Sequence, residues 1–482
     1  MANLMFKTTF QPIANAYKLI CHLDSKLKKR LTILVVLILL SSIADCVSIV
    51  SIVPFLMALS DPSRLLEEGG LLGIVKLNFI NELSDEKLII FFSISYFSII
   101  FIATFIKFFA AKQAAYFCSN GVNFLSVKTY KHYFNQPFEF HLKRESEELI
   151  NNLTVDMMRV SGALQSFLEI LIGMSLIIFI SIFLSISNFK ITFTILLTIF
   201  IYYMLIIRQN KKKLKINSRI IQEKSQKIIK LTQENIGNIK EIIIDGNQGY
   251  ILNNFKNQDF VLRKRVEENK FTKKVPRILL EFIGLVLLAG ISIYLVVIQR
   301  NKDYIATLGL IAYTCQKLLV SSQSIYGGWS FLSASNSSMI SILNLLRLDF
   351  KEDNYIRSRP FKFEKKIELK NIFFKYKSSQ EFVLKGINLV IEKGERIGIV
   401  GKTGAGKSTL IDIINGLLKP SSGNFLIDDI NLYQGNYLKL LKMWQKNISY
   451  IPQNVFLSND SVLQNISFGI DQDKIDQERV FE

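Results

Sequence analysis

Nine consecutive residues in the last quarter of the chain have the types and spacing needed to hold a row of phosphates. They are Gly401, Lys402, Thr403, Gly404, Ala405, Gly406, Lys407, Ser408 and Thr409, which fit the pattern GxxxxGK[ST]. Glycines let a backbone wrap closely around phosphates with its N–H groups pointing inward. Lys407 can reach the β- and γ-phosphates of a nucleotide, and the Ser408 hydroxyl can ligate Mg²⁺. The pattern therefore predicts a phosphate-binding loop.

The segments on either side of this loop favour the same interpretation. A strand-like apolar run at 396–400 precedes it, and an apolar run with helical character at 409–418 follows it. A helix that begins at the loop adds favourable partial positive charge for an anion. This order of strand, loop and helix favours a phosphate site over a chance glycine-rich turn.

Two weaker signals flank the loop. Tyr376 lies 31 residues before Lys407, where an aromatic ring can stack on a base, although a lone tyrosine is more often a core residue of a strand. Gln453 lies 46 residues after Lys407, where a carboxamide at a strand end can touch Mg²⁺ and an attacking water. By itself, a glutamine before a loop carries almost no information.

The elements that must position these residues belong to a soluble α/β segment. After about residue 345 charged residues become frequent, and strand-like runs occur at 367–373, 382–391 and 396–400. A polar stretch at 351–360 is typical of a linker. The chain before it has a different character.

Before residue 345 the composition indicates a membrane protein. The chain has 482 residues, of which 49% are hydrophobic, and its mean hydropathy is +0.28, which is high for a soluble protein of this size. Six apolar stretches approach or exceed the roughly 20 residues that a membrane-spanning helix needs. We place these stretches at 31–59, 88–110, 166–184, 191–207, 278–298 and 305–332.

The basic residues predict the orientation of these spans. The N-terminal segment and the two long loops, 111–160 and 208–276, hold 29 lysines and arginines, against six in the short loops. By the positive-inside rule, the N-terminus and both long loops face the cytoplasm. Both loops have helical composition, with bend points at Pro137 and Gly246. The net charge of +19 is then explained by surfaces next to the membrane, and nucleic acid is not the expected partner.

Polar residues interrupt the predicted spans, and a charge near the middle of a bilayer costs roughly 2.5–3.5 kcal/mol on insertion scales. Asp45 and Lys317 lie deepest, and Gln316 and Gln323 share the last span with Lys317. We expect these four to line a transport path, with polar packing between helices as the alternative. Near the predicted span ends, long side chains such as Lys107 can extend toward the interface. Outside the membrane, apolar residues in the loop 60–87 favour an amphipathic helix.

From residue 367 to 469 the chain resembles the ATPase domain of ABC transporters. The segments that match are Tyr376, 383–387, 401–409, 417–423, 452–453 and 462–469. The six spans with two long cytoplasmic loops resemble the membrane domain of exporter half-transporters. This resemblance implies ATP and Mg²⁺ as cofactors, adenine binding by Tyr376, and Gln453 as a catalytic and metal-binding residue. It also implies short crosspiece helices, near 137–144 and 246–255, that dock on ATPase domains.

The resemblance sets the expected architecture: a six-helix membrane domain followed by an incomplete α/β P-loop NTPase domain. The predicted divisions are 1–30, a cytoplasmic segment; 31–345, the membrane domain; 346–361, a linker; and 362–482, the first part of the ATP-binding domain. Expected partners are membrane lipid, and a second copy of the chain or a related half-transporter. The expected location is the bacterial inner membrane, with the ATP-binding domain in the cytoplasm.

The expected activity depends on motifs that do not occur in the sequence. An LSGGQ signature, an acidic strand (Walker B) and a switch histidine are absent after Gln453, so we expect this chain alone to lack ATP hydrolysis. A truncated chain, a disrupted gene and one half of a split gene remain open, and a downstream fragment is the partner that would complete the domain. The leading hypothesis is an exporter of an amphipathic or lipid-linked substrate; the alternative is a non-transporting membrane remnant.

Three short segments refine the leading hypothesis. The stretches 45–49, 52–55 and 237–242 are similar to bacterial flippases of lipid-linked oligosaccharides. This similarity makes such a lipid the expected cargo.

Overall fold

Helices contain the six apolar stretches as far as the computed structural model describes them. Among the described residues, eleven α-helices precede the sheet: α1 Ala2–Cys21, α2 Ser25–Val50, α3 Ile52–Ser60, α4 Asp85–Phe134, α5 Phe138–His141, α6 Ser146–Asn151, α7 Met157–Gly237, α8 Ile239–Ile244, α9 Gln248–Ile293, α10 Tyr304–Ala334 and α11 Asn336–Leu346. Within the described residues, three helical segments are long and apolar enough to cross a membrane: Ser25–Ser60, Asp85–Phe134 and Ser146–Phe183.

The structure describes part of the chain. The described residues are 2–60, 84–142, 144, 146–293, 304–348, 360–377, 379–435, 437–453, 455 and 457–481. The amphipathic helix predicted in the loop 60–87, most of the predicted linker 346–361 and the end of the stretch 278–298 lie outside these residues.

Contacts divide the chain into two units. We call Met1–Gln136 with Arg144–Phe350 the helical unit, and Pro137–Lys143 with Lys351–Glu482 the sheet unit. The short helix α5 thus groups with the second unit, although helices of the first flank it in sequence.

The first apolar stretch forms two helices instead of one. The Asp24 side chain caps α2 by accepting a hydrogen bond from the Leu27 N–H at 2.9 Å. The helix ends at Val50, and Ser51 separates it from α3. Pro54 explains the break, because it has no N–H for the Val50 carbonyl and its ring clashes with that carbonyl in a continuous helix.

Helix α7 contains two of the predicted stretches and reverses its direction. Helical backbone continues over its 81 residues, yet the Gln222 side chain donates to Asp156 at 3.1 Å. A straight helix would separate these residues by about 100 Å at 1.5 Å per residue. Two antiparallel arms therefore form within α7, in agreement with separate stretches at 166–184 and 191–207.

Helices α7 and α10 pack at glycine positions. A Cβ atom added at Gly173 would lie 2.8 Å from the Ser321 carbonyl oxygen, and one added at Gly328 would lie 2.7 Å from the Ser166 carbonyl oxygen. Glycine on each helix thus lets the two backbones approach closely, as is common between membrane helices.

The long loops predicted to be helical are extensions of these helices. Their crosspieces are α5, which follows Pro137, and α8, which ends before Gly246. The first agrees with the prediction at 137–144. The second prediction, 246–255, was displaced: those residues form a turn and the start of α9. Gly246 adopts φ +69°, a left-handed conformation that ends α8 and puts the crosspiece before the glycine.

In the part of the sheet unit that the structure describes, four antiparallel strands form one sheet in the order β2–β1–β3–β4. They are β1 Lys366–Phe374, β2 Leu384–Glu392, β3 Ser422–Ile427 and β4 Ile430–Asn431. Ile367 pairs with Ile391 on one side and with Ile427 on the other. The helices are α12 Lys407–Ile414, α13 Tyr437–Gln445, α14 Val462–Ile466 and α15 Gln477–Phe481.

Helices α12 and α13 cover the core of this sheet. Phe374, Phe425 and Ile413 are buried there beside Trp444. The Trp444 indole N–H donates to the Ile414 carbonyl at 2.8 Å, which fixes α13 to the end of α12. Strands β1 and β2 lie within two residues of the predicted runs 367–373 and 382–391.

The third predicted strand, 396–400, was wrong for this structure. Its residues join no ladder with the described strands. Val400 is 93% exposed and Ile397 is 39% exposed. A strand needs a hydrogen-bonded neighbour, and apolar content alone does not supply one.

Candidate functional site

The predicted phosphate loop begins directly after the unpaired run 396–400 and ends in the first turn of α12. Gly404 and Gly406 adopt φ values of +83° and +88°, a conformation that side chains other than glycine rarely take. A Cβ atom at Gly406 would also lie 2.8 Å from the Leu384 Cδ2 and 3.3 Å from the Val383 carbonyl oxygen. Glycine at this position therefore permits both the backbone turn and the close contact with the start of β2.

Lys407 is folded back over the loop. Its Nζ donates to the carbonyl oxygens of Gly401 at 2.7 Å and Lys402 at 2.9 Å. Residues 401–405 and Ser408 are exposed, so an anion has access to the loop and to the start of α12. The ammonium is thus already placed on the loop where phosphate oxygens would replace the two carbonyls.

Tyr376 lies at the same site. Its hydroxyl is 3.1 Å from the Thr409 hydroxyl, and its ring meets Phe374 edge-on at a centroid distance of 5.0 Å. Tyr376 is half-buried against the core of the sheet unit. The structure thus shows the core packing that a strand tyrosine was expected to have, and it places Tyr376 beside the helix that follows the loop. Stacking on a base stays a prediction.

Gln453 is not brought to the loop by any described contact. It lies in a bend and is exposed, and no hydrogen bond of its side chain occurs among the described residues. No cluster of three or more His, Cys, Asp or Glu side chains suited to a metal ion occurs in the described part of the chain. The exposed Ser408 hydroxyl fits a Mg²⁺ ion that arrives with phosphate, since Mg²⁺ usually keeps few protein ligands and several waters.

A second polar site lies in the apolar part of the helical unit. Asp45 on α2 is buried, and its carboxylate accepts from Lys317 of α10 at 2.7 Å and from Lys107 of α4 at 3.2 Å. We call these three residues the Asp45 cluster. Lys107, which the sequence placed near a span end, directs its ammonium at Asp45.

The two glutamines of the predicted path are not part of this cluster. Gln323 donates to the Lys273 carbonyl of α9 at 3.1 Å, whereas Gln316 is exposed. Ser321 and Ser322 of the same helix are buried. Much of the polarity of α10 thus serves packing between helices, and only part of it joins the charged cluster.

A buried hydrogen-bond network around Asp156 was not predicted from the sequence. Asp156 ends a π-helical turn, Asn152–Asp156, and its carboxylate accepts from Ser338 at 2.6 Å, Gln222 at 3.1 Å and Asn151 at 3.2 Å. These bonds join the start of α7, its returning arm and α11. The sequence signal was weak, an asparagine pair at 151–152 and Asp156 before an apolar helix, and spacing does not reveal a π-helical turn or partners 66 and 182 residues away.

Two protein-family models match this chain, one in its helical part and one in its sheet part. Residues 31–316 match the model described as ABC transporter transmembrane region, and residues 384–481 match the model described as ABC transporter. The chain belongs to the ABC transporter family. The second match includes the phosphate loop, and the first includes the Asp45 and Lys107 positions.

Several bacterial proteins are similar to this ABC chain. It is 28% identical over 372 residues to a multidrug resistance-like ATP-binding protein of Buchnera aphidicola, covering 74% of this chain and 62% of that protein. ATP-dependent lipid A-core flippases of Wigglesworthia glossinidia brevipalpis and Chromohalobacter salexigens are 24% and 25% identical, with 70% and 73% of this chain covered. The alignments span 58% and 60% of those two proteins.

A solved structure supports the fold. A bacterial Atm1-family ABC exporter with ATP bound superposes with a TM-score of 0.70, over 93% of this chain and 75% of that chain. The sequence identity is 16%, so this likeness concerns the fold alone.

Proposed function

We propose that this chain is an exporter half-transporter that uses ATP to move an amphipathic or lipid-linked substrate across a membrane. The observation that carries the proposal is the glycine-dependent loop with Lys407 folded over it, in one chain with the apolar helices of an ABC membrane region. Nucleotide binding and a membrane path in one polypeptide are the two parts that such transport requires.

The proposed nucleotide roles are supported by the loop geometry for Gly401–Thr409 and Lys407, and by the family resemblance alone for adenine stacking and for Gln453. The Gly401–Thr409 backbone and the start of α12 hold the phosphates, and Lys407 pairs with the β- and γ-phosphates. Tyr376 stacks on adenine, and Ser408 with Gln453 ligates Mg²⁺. Bound Mg²⁺ would neutralise charge on the phosphate oxygens. The proposed ATP-binding domain is 362–482, after a membrane domain at 31–345.

The cargo and the assembly are proposed from the relatives and the charge pattern. Two relatives are named lipid A-core flippases, and the Asp45 cluster offers two ammonium groups that suit a lipid with a phosphate or pyrophosphate. A second copy of the chain, or a related half-transporter, forms the other half of the path. The ATP-binding domain lies in the cytoplasm, and the protein resides in the bacterial inner membrane.

A specific observation favours a second candidate, a membrane protein that binds nucleotide without transporting. Val400, directly before the loop, is 93% exposed, and Ile451, two residues before Gln453, is 85% exposed. Both belong to stretches without strand pairing among the described residues. A phosphate loop that packs on β2 but follows an unpaired segment can bind phosphates and still fail to drive a conformational cycle.

The decisive experiment separates these candidates in two steps. The full chain, purified in detergent, is titrated with a fluorescent ATP analogue in the presence of Mg²⁺. Lys407→Ala should weaken binding by at least about tenfold, since a charge-assisted contact to phosphate is worth roughly 1.5–3 kcal/mol. Lys439→Ala is the matched control, because this exposed lysine lies on α13, outside the loop. Equal affinity of Lys407→Ala and the unaltered chain contradicts the proposed site.

The second step measures transport. Because this chain alone is expected to lack ATP hydrolysis, it is placed in vesicles together with the downstream fragment expected as its partner and with a fluorescent lipid-linked oligosaccharide. The labelled lipid that reaches the other leaflet is followed with and without ATP. ATP-dependent movement supports the exporter. Nucleotide binding without such movement of that lipid favours the second candidate.

A further inference from the structure

Helix α9 contains a proline at the point where it becomes buried. Pro276 has no N–H for the carbonyl of Thr272, the residue four positions earlier, and its ring crowds that carbonyl. Thr272 is 5% exposed, so water does not readily replace the missing donor. Buried backbone carbonyls in proteins nearly always have a hydrogen-bond partner. The partner of this carbonyl must therefore come from outside the backbone of α9.

Side chains of α10 bind the two carbonyls before this proline turn closes. The Tyr326 hydroxyl donates to the Thr272 carbonyl at 3.1 Å, and the Gln323 side-chain amide donates to the Lys273 carbonyl at 3.1 Å. The two helices are close here, because a Cβ atom at Gly327 would lie 2.9 Å from the Lys273 Cε. We call Gln323 and Tyr326 the clasp. Both of its donors belong to one turn of α10.

The part of α9 after the proline is held by two neighbouring helices. The Tyr202 hydroxyl of α7 donates to the Pro276 carbonyl at 2.9 Å. Leu280, one turn later, is buried in one apolar cluster with Tyr203 of α7 and Trp329 of α10. This part of α9 is therefore fixed by apolar packing as well as by hydrogen bonds.

The part of α9 before the proline turn is attached differently. No side chain in 248–271, which we call the leading segment, is buried in the described structure. Polar side chains join it to α7, with Asn217 donating to Asn269 at 2.8 Å and Lys224 to Gln258 at 2.7 Å. Such bonds can be exchanged for bonds to water at little net cost. The change from weak to firm attachment thus coincides with the turn that lacks a backbone hydrogen bond.

We propose that Pro276 is a hinge of α9, and that the clasp determines whether the leading segment is held or can change its angle. With both bonds formed, Gln323 and Tyr326 replace the bonding that Pro276 removes and keep the leading segment in line with the buried part. Rotation or translation of α10 breaks both bonds together, because both donors lie on one turn. Crosspiece α8 directly precedes the leading segment, so release of the clasp also moves α8.

A double-mutant cycle tests the clasp. Four full chains purified in detergent are compared by thermal melting: the unaltered chain, Tyr326→Phe, Pro276→Ala and the chain with both changes. We expect Tyr326→Phe to lower the melting temperature by at least about 2 °C, because the Thr272 carbonyl stays buried without its donor. With Pro276→Ala present, the same change should cost about half as much or less, because the backbone N–H restored at position 276 bonds to that carbonyl.

Tyr203→Phe is the matched control for the cycle. Tyr203 is also buried, and its hydroxyl has no hydrogen-bond partner among the described residues. Its replacement should leave the melting temperature within about 1 °C in both backgrounds. The bond from Asn210 to the Tyr326 hydroxyl is lost by Tyr326→Phe in either background, so it cancels in the comparison.

Distances between spin labels test the hinge. In a background without native cysteines, labels are placed at Lys256→Cys on the leading segment and at Asn344→Cys on α11, both exposed positions. Helix α11 is a suitable reference, because Ser338 fixes it to Asp156. Labelled chain is mixed with an excess of unlabelled chain, so that both labels of a measured pair belong to one chain.

We expect the unaltered chain to show one narrow distance. Gln323→Leu combined with Tyr326→Phe should broaden the distribution, and adding Pro276→Ala should narrow it again. A control pair after the proline, Leu285→Cys with Val320→Cys, uses two exposed positions and should be unaffected by these changes. Thermal melting of each labelled chain checks that it is folded.

Two results would overturn the inference. An equal loss of melting temperature from Tyr326→Phe in both backgrounds would show that the proline does not create the need for this bond. An unchanged distance distribution in the folded clasp variant would show that α9 is rigid at Pro276. Because neither measurement uses ATP or cargo, failure of the inference leaves the proposed transport function untouched.

Discussion

At the scale of single residues, the shape of the phosphate loop depends on the lack of a Cβ atom at Gly406 and on the hydrogen bonds of the Lys407 side chain. Gly406 has no Cβ, and the space is taken by Leu384 of β2 and by the carbonyl of Val383, the residue before β2. Lys407 meanwhile donates to two loop carbonyls. The loop is therefore held in shape from the sheet side by close packing and from the open side by the ammonium.

Substitution of the two left-handed glycines separates backbone strain from crowding. Gly404 and Gly406 have nearly equal φ values, but nothing lies within 4 Å of a Cβ at Gly404. Each alanine should cost about 1–2 kcal/mol of conformational energy, and only Gly406→Ala should add a clash. We expect titration with a fluorescent ATP analogue to show a clearly larger loss for Gly406→Ala than for Gly404→Ala.

Gly398→Ala is the neutral reference for that comparison, since a Cβ at Gly398 also meets no atom within 4 Å and its φ is not left-handed. Equal losses at Gly404 and Gly406 would contradict the role given to the contact with Leu384.

At the residue scale, the sequence located what is local. The spacing within the loop was sufficient to find the lysine that folds over it and the two left-handed glycines, and their roles with phosphate stay predictions. The contact of Tyr376 with Thr409 joins residues 33 positions apart and was not predicted from the sequence. The pairing of Lys107 with Asp45 depends on how α2 and α4 align, which hydropathy does not specify. The role of Gln453 stays a prediction.

At the scale of elements, the turn of the β3–β4 hairpin is hydrogen-bonded to the backbone at the start of β1. Asp428 and Asp429 form the two-residue turn between β3 and β4, with φ values of +46° and +68°, as in a type I′ turn. The Asp428 carboxylate accepts from the backbone N–H groups of Glu364, Lys365 and Lys366 at 2.6, 2.7 and 2.8 Å. One side chain thus ties the turn to the first residues of β1.

Because of these hydrogen bonds, we expect the sheet unit to lose stability as the pH falls into the acid range. Partial burial raises the pKa of Asp428, but the three N–H groups outweigh it and hold the pKa below its usual range. A depressed pKa in the folded state stabilises the fold above the unfolded pKa of about 3.9, and this stabilisation is lost as the pH falls through the lower folded value. Asp428→Asn should therefore melt at a lower temperature than the unaltered chain at pH 7, and the difference should shrink below pH 4.

Asp429→Asn is the control, because it occupies the same turn without those bonds. Melting can be followed through Trp444 in a Trp329→Phe background, since Trp444 lies in the sheet unit and Trp329 in the helical unit. A pH-independent difference between the two asparagine variants would rule out the carboxylate as its source.

Elements were predictable from the sequence where one pattern dominates. Apolar length located the helices, and alternation located β1 and β2. The segment 396–400 has the apolar content of a strand, but strand formation is decided by its neighbours. The second crosspiece was displaced because Gly246 can either bend a helix or end it, and the sequence does not distinguish these. The break at Ser51 was predictable from Pro54, three residues later.

At the scale of the whole molecule, exposed apolar side chains and basic residues occupy different parts of the same long helices. Exposed apolar side chains such as Phe97, Phe101 and Phe105 follow the outer face of α4, whereas the extension of this helix beyond residue 110 carries Lys112, Lys128 and Lys131. A single helix therefore has one end suited to lipid and one end suited to water. The same division, repeated in α7 and α9, accounts for much of the net charge of +19.

This distribution predicts the topology. In a background without native cysteines, Ser60→Cys and Ser119→Cys each place a thiol at an exposed position. Ser60 ends α3 beyond the first apolar stretch, and Ser119 lies in the polar extension of α4. A membrane-impermeant maleimide should label Ser60→Cys in intact cells and should label Ser119→Cys only after the cells are opened. The reverse pattern would invert the proposed orientation.

Because Pro137–Lys143 groups with the sheet unit, proteolytic cleavage of the chain after α11 need not release the fragment that carries the phosphate loop. Phe138 packs on the sheet core, and Glu139 forms an ion pair with Lys377 at 3.1 Å, while the main chain on both sides of this segment continues into helices of the other unit. Cleavage anywhere in 351–359 would cut the only covalent link that follows α11. The fragment carrying the phosphate loop would still be held by the segment it left behind, as in a complemented split protein. Severing the polypeptide and releasing the nucleotide-binding part are therefore separate events, and the second requires the contacts of α5 to break.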